Sequence, residues 1–171
     1  MNPMKEIKVE KITLNMGTGG SGDKIEKGAK LLTAITGEKP VKTSSMQRIP
    51  TWGVRPKLPI AVKVTLRGKK AEELLKRLLQ AVDNTLPERK FDKFGNFSFG
   101  IDEYIKIPGV TYDVSIGIIG LEAAITLQRA GFRVKRRSIK MAKIPKRHQI
   151  SKEEAIQFVR SKFNVQIGEQ E

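Results

Sequence analysis

The chain has no cysteine. Disulfides and thiolate-held metals are therefore excluded, and a reducing compartment is fully compatible. It has one histidine, His148, which sits beside Arg147 in a basic run and reads as an RNA contact or a solvated residue. One histidine cannot build a histidine metal cluster. Acids are scarce, 18 against 33 Lys and Arg, and they form no dense cluster suited to a hard cation. Asp102 and Glu103 are adjacent, and strand neighbours point to opposite faces. No apolar run approaches the length of a membrane span. The opening MNPMKEIKVEK shows no apolar signal-peptide core. These absences point away from an enzyme, a cofactor, a metal and a membrane.

What is present is positive charge. The 171 residues carry a formal net charge of +15, which calls for a polyanionic partner, nucleic acid above all. Two stretches concentrate it. Residues 43–57 read TSSMQRIPTWGVRPK, with Arg48, Arg55, Lys57 and no acid. Pro50, Gly53 and Pro56 break regular structure there, and the only tryptophan, Trp52, lies between them. Basic groups around a ring suit a phosphate backbone and a stacking surface. The alternative is an ordered loop whose Trp52 packs back on its own core. Residues 133–147 hold eight basic residues and no acid, a second polyanion surface.

Apolar residues make up 39% of the chain, enough for a core. Alternation predicts strands over 11–16, 60–67, 97–101 and 121–128, with a short one over 40–43. A slip between Val9 and Ile12 marks a bulge or a late strand start. Helical spacing predicts helices from Asp23 to Ile35, over 70–84 and over 151–163, with capping boxes at Asp23/Glu26 and Ser151/Glu154. Gly95-Asn96 suits a hairpin turn. Residues 132–137 read as a strand returning after the turn at 129–131, 114–119 as strand or short helix, and 164–171 as a loose tail. Of the four Phe between 91 and 99, the spacing of Phe97 and Phe99 favours core filling over base stacking. Strands and amphipathic helices together predict a two-layer α+β domain, sheet on helices.

The loop after the first strand carries Gly17, Gly19, Gly20 and Gly22 before a helix, an arrangement that can cradle phosphate. It lacks Gly-Lys-Ser/Thr; Gly17, Gly19 and Gly22 fit Gly-x-Gly-x-x-Gly, but no acid ends a clear second strand about twenty residues on, as a dinucleotide fold needs. A nucleotide-dependent enzyme and a general RNA chaperone are the rival readings.

Several segments carry a family resemblance: Ile12-Thr-Leu-Asn-Met-Gly17, Ile35-Thr-Gly-Glu-Lys-Pro-Val41, Lys63-Val-Thr-Leu-Arg-Gly68 and Phe91-Asp-Lys-Phe-Gly-Asn-Phe-Ser-Phe-Gly-Ile101. Ile118-Ile-Gly-Leu-Glu122 and Gln128-Arg-Ala-Gly-Phe-Arg-Val134 continue the series. In this order they resemble the large-subunit ribosomal protein L5 family in its archaeal form, over nearly the whole chain. The resemblance implies an α+β fold with a curved antiparallel sheet packed against helices and extended basic loops. It implies one RNA-binding domain over 1–171, with a basic protruding loop over 43–59 and a basic extension over 133–150.

It further implies a structural, non-enzymatic component of the cytoplasmic large ribosomal subunit, without cofactor. Its partners would be 5S ribosomal RNA in the central protuberance, large-subunit ribosomal RNA, ribosomal protein L18 and peptidyl-site transfer RNA. The family's 5S contacts carry over to Asn15 and Thr65. Lys63, Arg67, Arg133, Arg136, Arg137, Lys143 and Lys146 are added as candidate ribosomal-RNA contacts on charge. Gln47, Arg48, Trp52, Arg55 and Lys57 form the candidate transfer-RNA loop. Glu38 stands where the bacterial pattern has glutamine, which argues against a direct phosphate contact there.

Overall fold

The computed structural model describes residues 2–19 and 22–168. Its centre is β1 (Ile7–Gly17), an eleven-residue strand. Ile12, Leu14 and Met16 point to one side and are buried. The slip near the strand's start is a bulge: the register shifts between Val9 and Lys11, with Glu10 as the extra residue. That extra residue puts both Val9 and Ile12 on the core side.

β1 pairs antiparallel with β3 (Pro59–Leu66) on one side and β6 (Leu121–Arg129) on the other. β2 (Val41–Ser44) extends the sheet beyond β3, and β5 (Phe97–Ile101) extends it beyond β6. The order is β2-β3-β1-β6-β5, antiparallel throughout. Val62, Val64, Leu66, Ala123, Ile125, Leu127, Phe97 and Phe99 share the core with β1. Phe97 and Phe99 thus fill the core, as their spacing predicts.

Three helices supply the second layer among the described residues. α1 (Asp23–Thr36) buries Ile25, Leu31, Leu32 and Ile35. α2 (Lys69–Gln80) buries Leu74, Leu75, Leu78 and Leu79, each worth about 2 kcal/mol of transfer free energy. α3 (Lys152–Phe163) buries Ala155, Val159 and Phe163 behind the expected capping box of Ser151 and Glu154.

Several expectations are corrected. Asp23 does not cap α1; Gly22 does, at φ 98°, with no side-chain bond. Asp23 and Glu26 instead lie in the first turn, where their charge favours the helix dipole. α2 stops at Gln80, because Asp83 and Asn84 turn left-handed at φ 54° and 51° and lead into β4 (Thr85–Pro87). No strand returns over 132–137. Both edges of β6 are already taken by β1 and β5, so the chain turns at Gly131 and coils through Phe132–Lys135. Residues 114–119 are neither strand nor helix but a turn closed on Asp113. The tail is not loose as far as Gly168: Val165 is buried, and β7 (Gln166–Gly168) pairs parallel with β4. Its last residues, 169–171, lie outside the described residues.

The strand directions sort the loops. β1 and β5 end, and β3 and β6 begin, at the same end of the sheet as the connection between β2 and β3. The glycine loop, the Trp52 loop and residues 102–120 therefore lie at one end. The chain between 130 and 150, the turn at 92–96 and Arg67 lie at the other.

Candidate nucleic-acid interface

The sheet has a second face. Because side chains alternate, the residues between the core positions point away from the helices. Asn15 lies between Lys63 of β3 and Glu122 of β6. Thr13 lies between Thr65 and Ala124, and Lys11 beside Thr126. Ser98 and Gly100 complete the row on β5. Lys63, Glu122, Ala124 and Ser98 are exposed, while Thr13, Asn15, Thr65 and Thr126 are half-buried among their neighbours. The face is mostly polar, with Lys11, Lys63 and Glu122 standing among short Thr, Asn, Ser, Ala and Gly positions, and among the described residues it carries no aromatic ring. It offers hydrogen bonds and close approach, not a stacking platform.

At the β3 edge, Lys39, Lys63, Thr65, Arg67 and Lys70 surround a cavity of about 410 Å³. Glu38 is there too, with Lys70 Nζ donating to its carboxylate at 2.5 Å. That hydrogen bond and the charge behind it hold the Lys70 ammonium above its usual pKa. The pair neutralises the acid that distinguishes this chain from the bacterial pattern, and it leaves Lys39, Lys63 and Arg67 free of ion pairs among the described residues.

The 43–59 stretch is a twisted hairpin, not an open loop. Ser45 and Leu58 continue the ladder, then Ile49 and Val54 exchange backbone hydrogen bonds of 2.9 and 3.1 Å. Pro50–Trp52 form a 3-10 turn closed by Gly53 at φ 64°. Val54 is the residue that packs inward, and Trp52 is 76% exposed. The alternative of a core-packed Trp52 is thereby removed. Gln47, Arg48, Arg55 and Lys57 are exposed around it.

The 133–147 run is held by local bonds rather than free. Ala142 N donates to Val134 O at 3.3 Å, Arg137 Nε to Lys140 O at 2.8 Å, and Gln149 Nε2 to Ile144 O at 3.2 Å. Arg133, Lys143 and Lys146 are exposed without ion pairs among the described residues. Arg136 differs: its guanidinium donates to Glu10 in the bulge and to Gln128 at 3.2 Å. His148 is half-buried and already engaged by its own fold. Its Nε2 lies 2.9 Å from Ala130 O and its ring meets Phe132 edge-on.

These geometries separate residues that charge alone groups together. Glu10 is 8% exposed and its carboxylate depends on Arg136. Arg136→Gln is expected to lower folding stability by about 2 kcal/mol, because a buried carboxylate loses its partner. Lys143→Gln and Lys146→Gln are expected to change stability by less than about 0.5 kcal/mol. Urea midpoints on the three variants check this, and an Arg136→Gln midpoint equal to the other two would remove Arg136 from the structural set.

Arg129 is the feature that sequence reasoning missed. The period of β6 runs Leu121, Ala123, Ile125, Leu127, Arg129, so its phase already placed Arg129 on the core side. It is 5% exposed. Its Nε donates to Lys5 O at 3.1 Å, Nη1 to Gln149 O at 3.0 Å and to His148 O at 3.4 Å, and Nη2 to Glu154 at 2.7 Å. One guanidinium thereby ties the N-terminal segment, the end of the basic extension and α3 together.

Of the glycine loop, Gly20 and Ser21 lie outside the described residues. Thr18 closes on the start of β3, with Oγ1 donating to Ile60 O at 3.0 Å. Among the described residues, no group of three His, Asp or Glu is placed to hold a metal ion, and no helix is long and apolar enough to cross a membrane.

The family model for the C-terminus of ribosomal L5 proteins matches residues 59–158, and that of ribosomal protein L5 matches residues 2–55. The large ribosomal subunit protein uL5 of Sulfurisphaera tokodaii is 52% identical over 170 residues, 99% of this chain and 96% of the relative. That of Nanoarchaeum equitans is 52% identical over 167 residues, 97% and 98% of the two chains. That of Methanococcus maripaludis is 45% identical over 168 residues, 96% and 93%. A match that spans both halves of the fold, at this identity and with archaeal relatives, means that the chain belongs to the ribosomal protein L5 family, uL5, whose members are structural RNA-binding proteins and not enzymes.

Proposed function

We propose that this chain is a structural protein of the large ribosomal subunit whose open sheet face binds 5S ribosomal RNA. The observation that carries the reading is the uncovered sheet face itself. On a chain of net charge +15, a five-stranded sheet leaves one face to solvent and lines it with Thr13, Asn15, Lys63 and Thr65. Double-stranded RNA presents a wide, shallow minor groove of 2′-hydroxyls, and such a groove is recognised by short polar side chains on a smooth surface. Asn15 and Thr65 offer the hydrogen bonds. Lys63 and Arg67 place phosphates at the β3 edge. Arg133, Arg137, Lys143 and Lys146 extend the positive surface at one end of the sheet toward large-subunit RNA. The 43–59 hairpin, at the opposite end, reaches peptidyl-site transfer RNA with Gln47, Arg48, Trp52, Arg55 and Lys57. Ribosomal protein L18 is the neighbour on the same 5S RNA, in the cytoplasmic ribosome. Arg136 supports this surface by holding the β1 bulge.

The test is a titration of 5S RNA against an unrelated RNA of equal length at physiological salt. Preference for 5S RNA is expected. Asn15→Ala and Thr65→Ala are each expected to weaken 5S binding about fivefold, the worth of one hydrogen bond. Lys63→Glu is expected to weaken it at least about tenfold, since one phosphate contact is replaced by repulsion. Equal affinity for the two RNAs would instead favour a general RNA chaperone.

A further inference from the structure

Three of the four Phe in the 91–99 stretch are in the core, and the fourth is not. Phe91, Phe97 and Phe99 are buried and stacked in series, whereas Phe94 is 62% exposed. Among the described residues no ring pairs with it. Nor is it exposed by slack. Asp92 Oδ1 accepts from the backbone amides of Phe94 and Asn96 at 2.8 and 2.7 Å, and Asp92 Oδ2 accepts from Asn96 Nδ2 at 3.0 Å. Asn96 Oδ1 in turn accepts from Leu127 N at 3.2 Å. Gly95, at φ 76°, is wedged so closely that a Cβ there would lie 2.6 Å from Ile150 Cγ2. The turn that carries Phe94 is thus fixed from several sides, and its one acid is saturated with donors.

Phe94 borders a cavity of about 570 Å³ at the end of the sheet, next to Thr126 of the open face. Phe132 and Ile144 form its apolar wall, and Lys135, Lys143 and Lys146 stand around it with no acid among the lining residues. Lys135 Nζ lies 5.0 Å from the Phe132 ring centroid, which fixes one of these ammonium groups beside the apolar wall. A rigid exposed ring, an apolar wall and three cations match one chemistry: a flat aromatic group joined to a phosphate chain.

We propose that this cavity receives an unpaired nucleotide of single-stranded or looped RNA, with the base stacked on Phe94 and the flanking phosphates on Lys143 and Lys146. The proposal rests on the reading of the chain as an RNA-binding protein, and it adds a second mode to it. The sheet face takes RNA without stacking, while this cavity takes a base that has left its helix. Stacking on an aromatic side chain is tolerant of base identity, so the site selects unpaired structure rather than sequence.

The experiment compares a short single-stranded oligoadenylate carrying a fluorescent adenine analogue with a blunt RNA duplex of the same length. Phe94→Ala is expected to weaken single-strand binding about tenfold and leave duplex binding unchanged. Phe94→Tyr is expected to retain it. The analogue's fluorescence is expected to be quenched on wild type and not on Phe94→Ala. Lys143→Gln with Lys146→Gln is expected to lower the salt slope by roughly 1.4, about 0.7 per charge for a single strand. Phe94 is exposed, so the melting temperatures serve as folding controls and are expected to coincide. Single-strand affinity unaffected by Phe94→Ala, equal losses on both RNAs, or no binding of the single strand would each overturn the proposal; the last would leave the cavity to a protein partner. Failure of 5S selectivity with single-strand binding intact would sink the sheet-face reading and not this one.

Discussion

Replacing Arg129 by methionine is expected to lower the free energy of unfolding by about 3 kcal/mol. The side chain is almost wholly buried, and its guanidinium serves three backbone carbonyls and the Glu154 carboxylate. Methionine fills similar volume, so little of the loss comes from a cavity. It comes from the carbonyls of Lys5, His148 and Gln149, which lose a shared charged donor. Glu154 is part-exposed and can turn to solvent, which keeps the loss below that of a fully buried pair. For a chain of this length the loss corresponds to roughly 6–12 °C in melting temperature. Arg129→Lys is expected to recover only part of it, because a single ammonium on a flexible stem cannot reach four acceptors in fork geometry. Thermal melts of the three proteins measure this. A methionine variant that melts with wild type would show that the carbonyls find water instead.

The same contact sets a pH dependence. Burial raises the pKa of the Glu154 carboxyl, but the Ser151 backbone hydrogen bond and Arg129 outweigh it, so the net value falls below the usual 4.5. A carboxylate with a depressed folded pKa contributes stability that is complete well above its unfolded value. That contribution is lost as pH falls below 4.5 and through the depressed folded value. The stability gap between wild type and Arg129→Met is therefore expected to narrow below that point. A gap that stayed constant down to acid unfolding would mean that Glu154 contributes nothing through Arg129.

Arg129 also shows where sequence legibility ended. The alternation of β1, β3, β5 and β6 and the helical stripes of α1, α2 and α3 were readable, because burial imposes a period on each element. The period through β6 placed position 129 inward as well, but an arginine at the end of a strand, before Ala130-Gly131, looks like a turn. What decides its place is the convergence of Lys5, Gln149 and Glu154, which are distant in sequence. Arg136 is a similar case. Within a basic run it is one cation among eight, and only the fold brings Glu10 to it. The return strand failed for a topological reason: a strand needs a free edge, and the pairing of β5 with β6 uses a partner twenty residues upstream. β7 is too short to show a period, with Ile167 its one apolar side chain. For the open face, alternation along β3 already put Lys63 and Thr65 away from the core. Asn15 entered through the family resemblance, and the pairing of β1 with β3 sets it beside Lys63.

The hairpin tip offers the sharpest separation of two roles in one chain. Trp52→Ala with Arg48→Gln and Arg55→Gln is expected to lower peptidyl-site transfer-RNA occupancy on reconstituted subunits by at least about tenfold, while 5S affinity stays unchanged. Stacking of one base on an aromatic ring is worth about 1–3 kcal/mol, which alone supplies this effect. Each cation removed is expected to reduce the salt slope by about 0.7–0.9. The geometry says why the fold tolerates the change. Trp52, Arg48 and Arg55 are exposed, whereas the hairpin is closed by the Ile49–Val54 backbone bonds and anchored by buried Val54. Substitutions at exposed positions cost less than about 0.5 kcal/mol. Val54→Ala is the contrasting variant: it is expected to loosen the hairpin, lower the melting temperature and reduce transfer-RNA occupancy indirectly, by raising the order that must be gained on contact. The two routes differ in their melts and agree in occupancy. The strand directions put this tip at the end of the sheet opposite the 133–147 run, and Arg48, Trp52 and Arg55 lie beyond the row of Thr13, Asn15, Lys63 and Thr65 on the open face, so removing them leaves that row unaltered. If the triple variant binds 5S RNA more weakly in step with its loss of transfer RNA, the hairpin lies on 5S RNA instead. If occupancy is unchanged in a fully folded triple variant, the exposed tryptophan serves some surface other than transfer RNA.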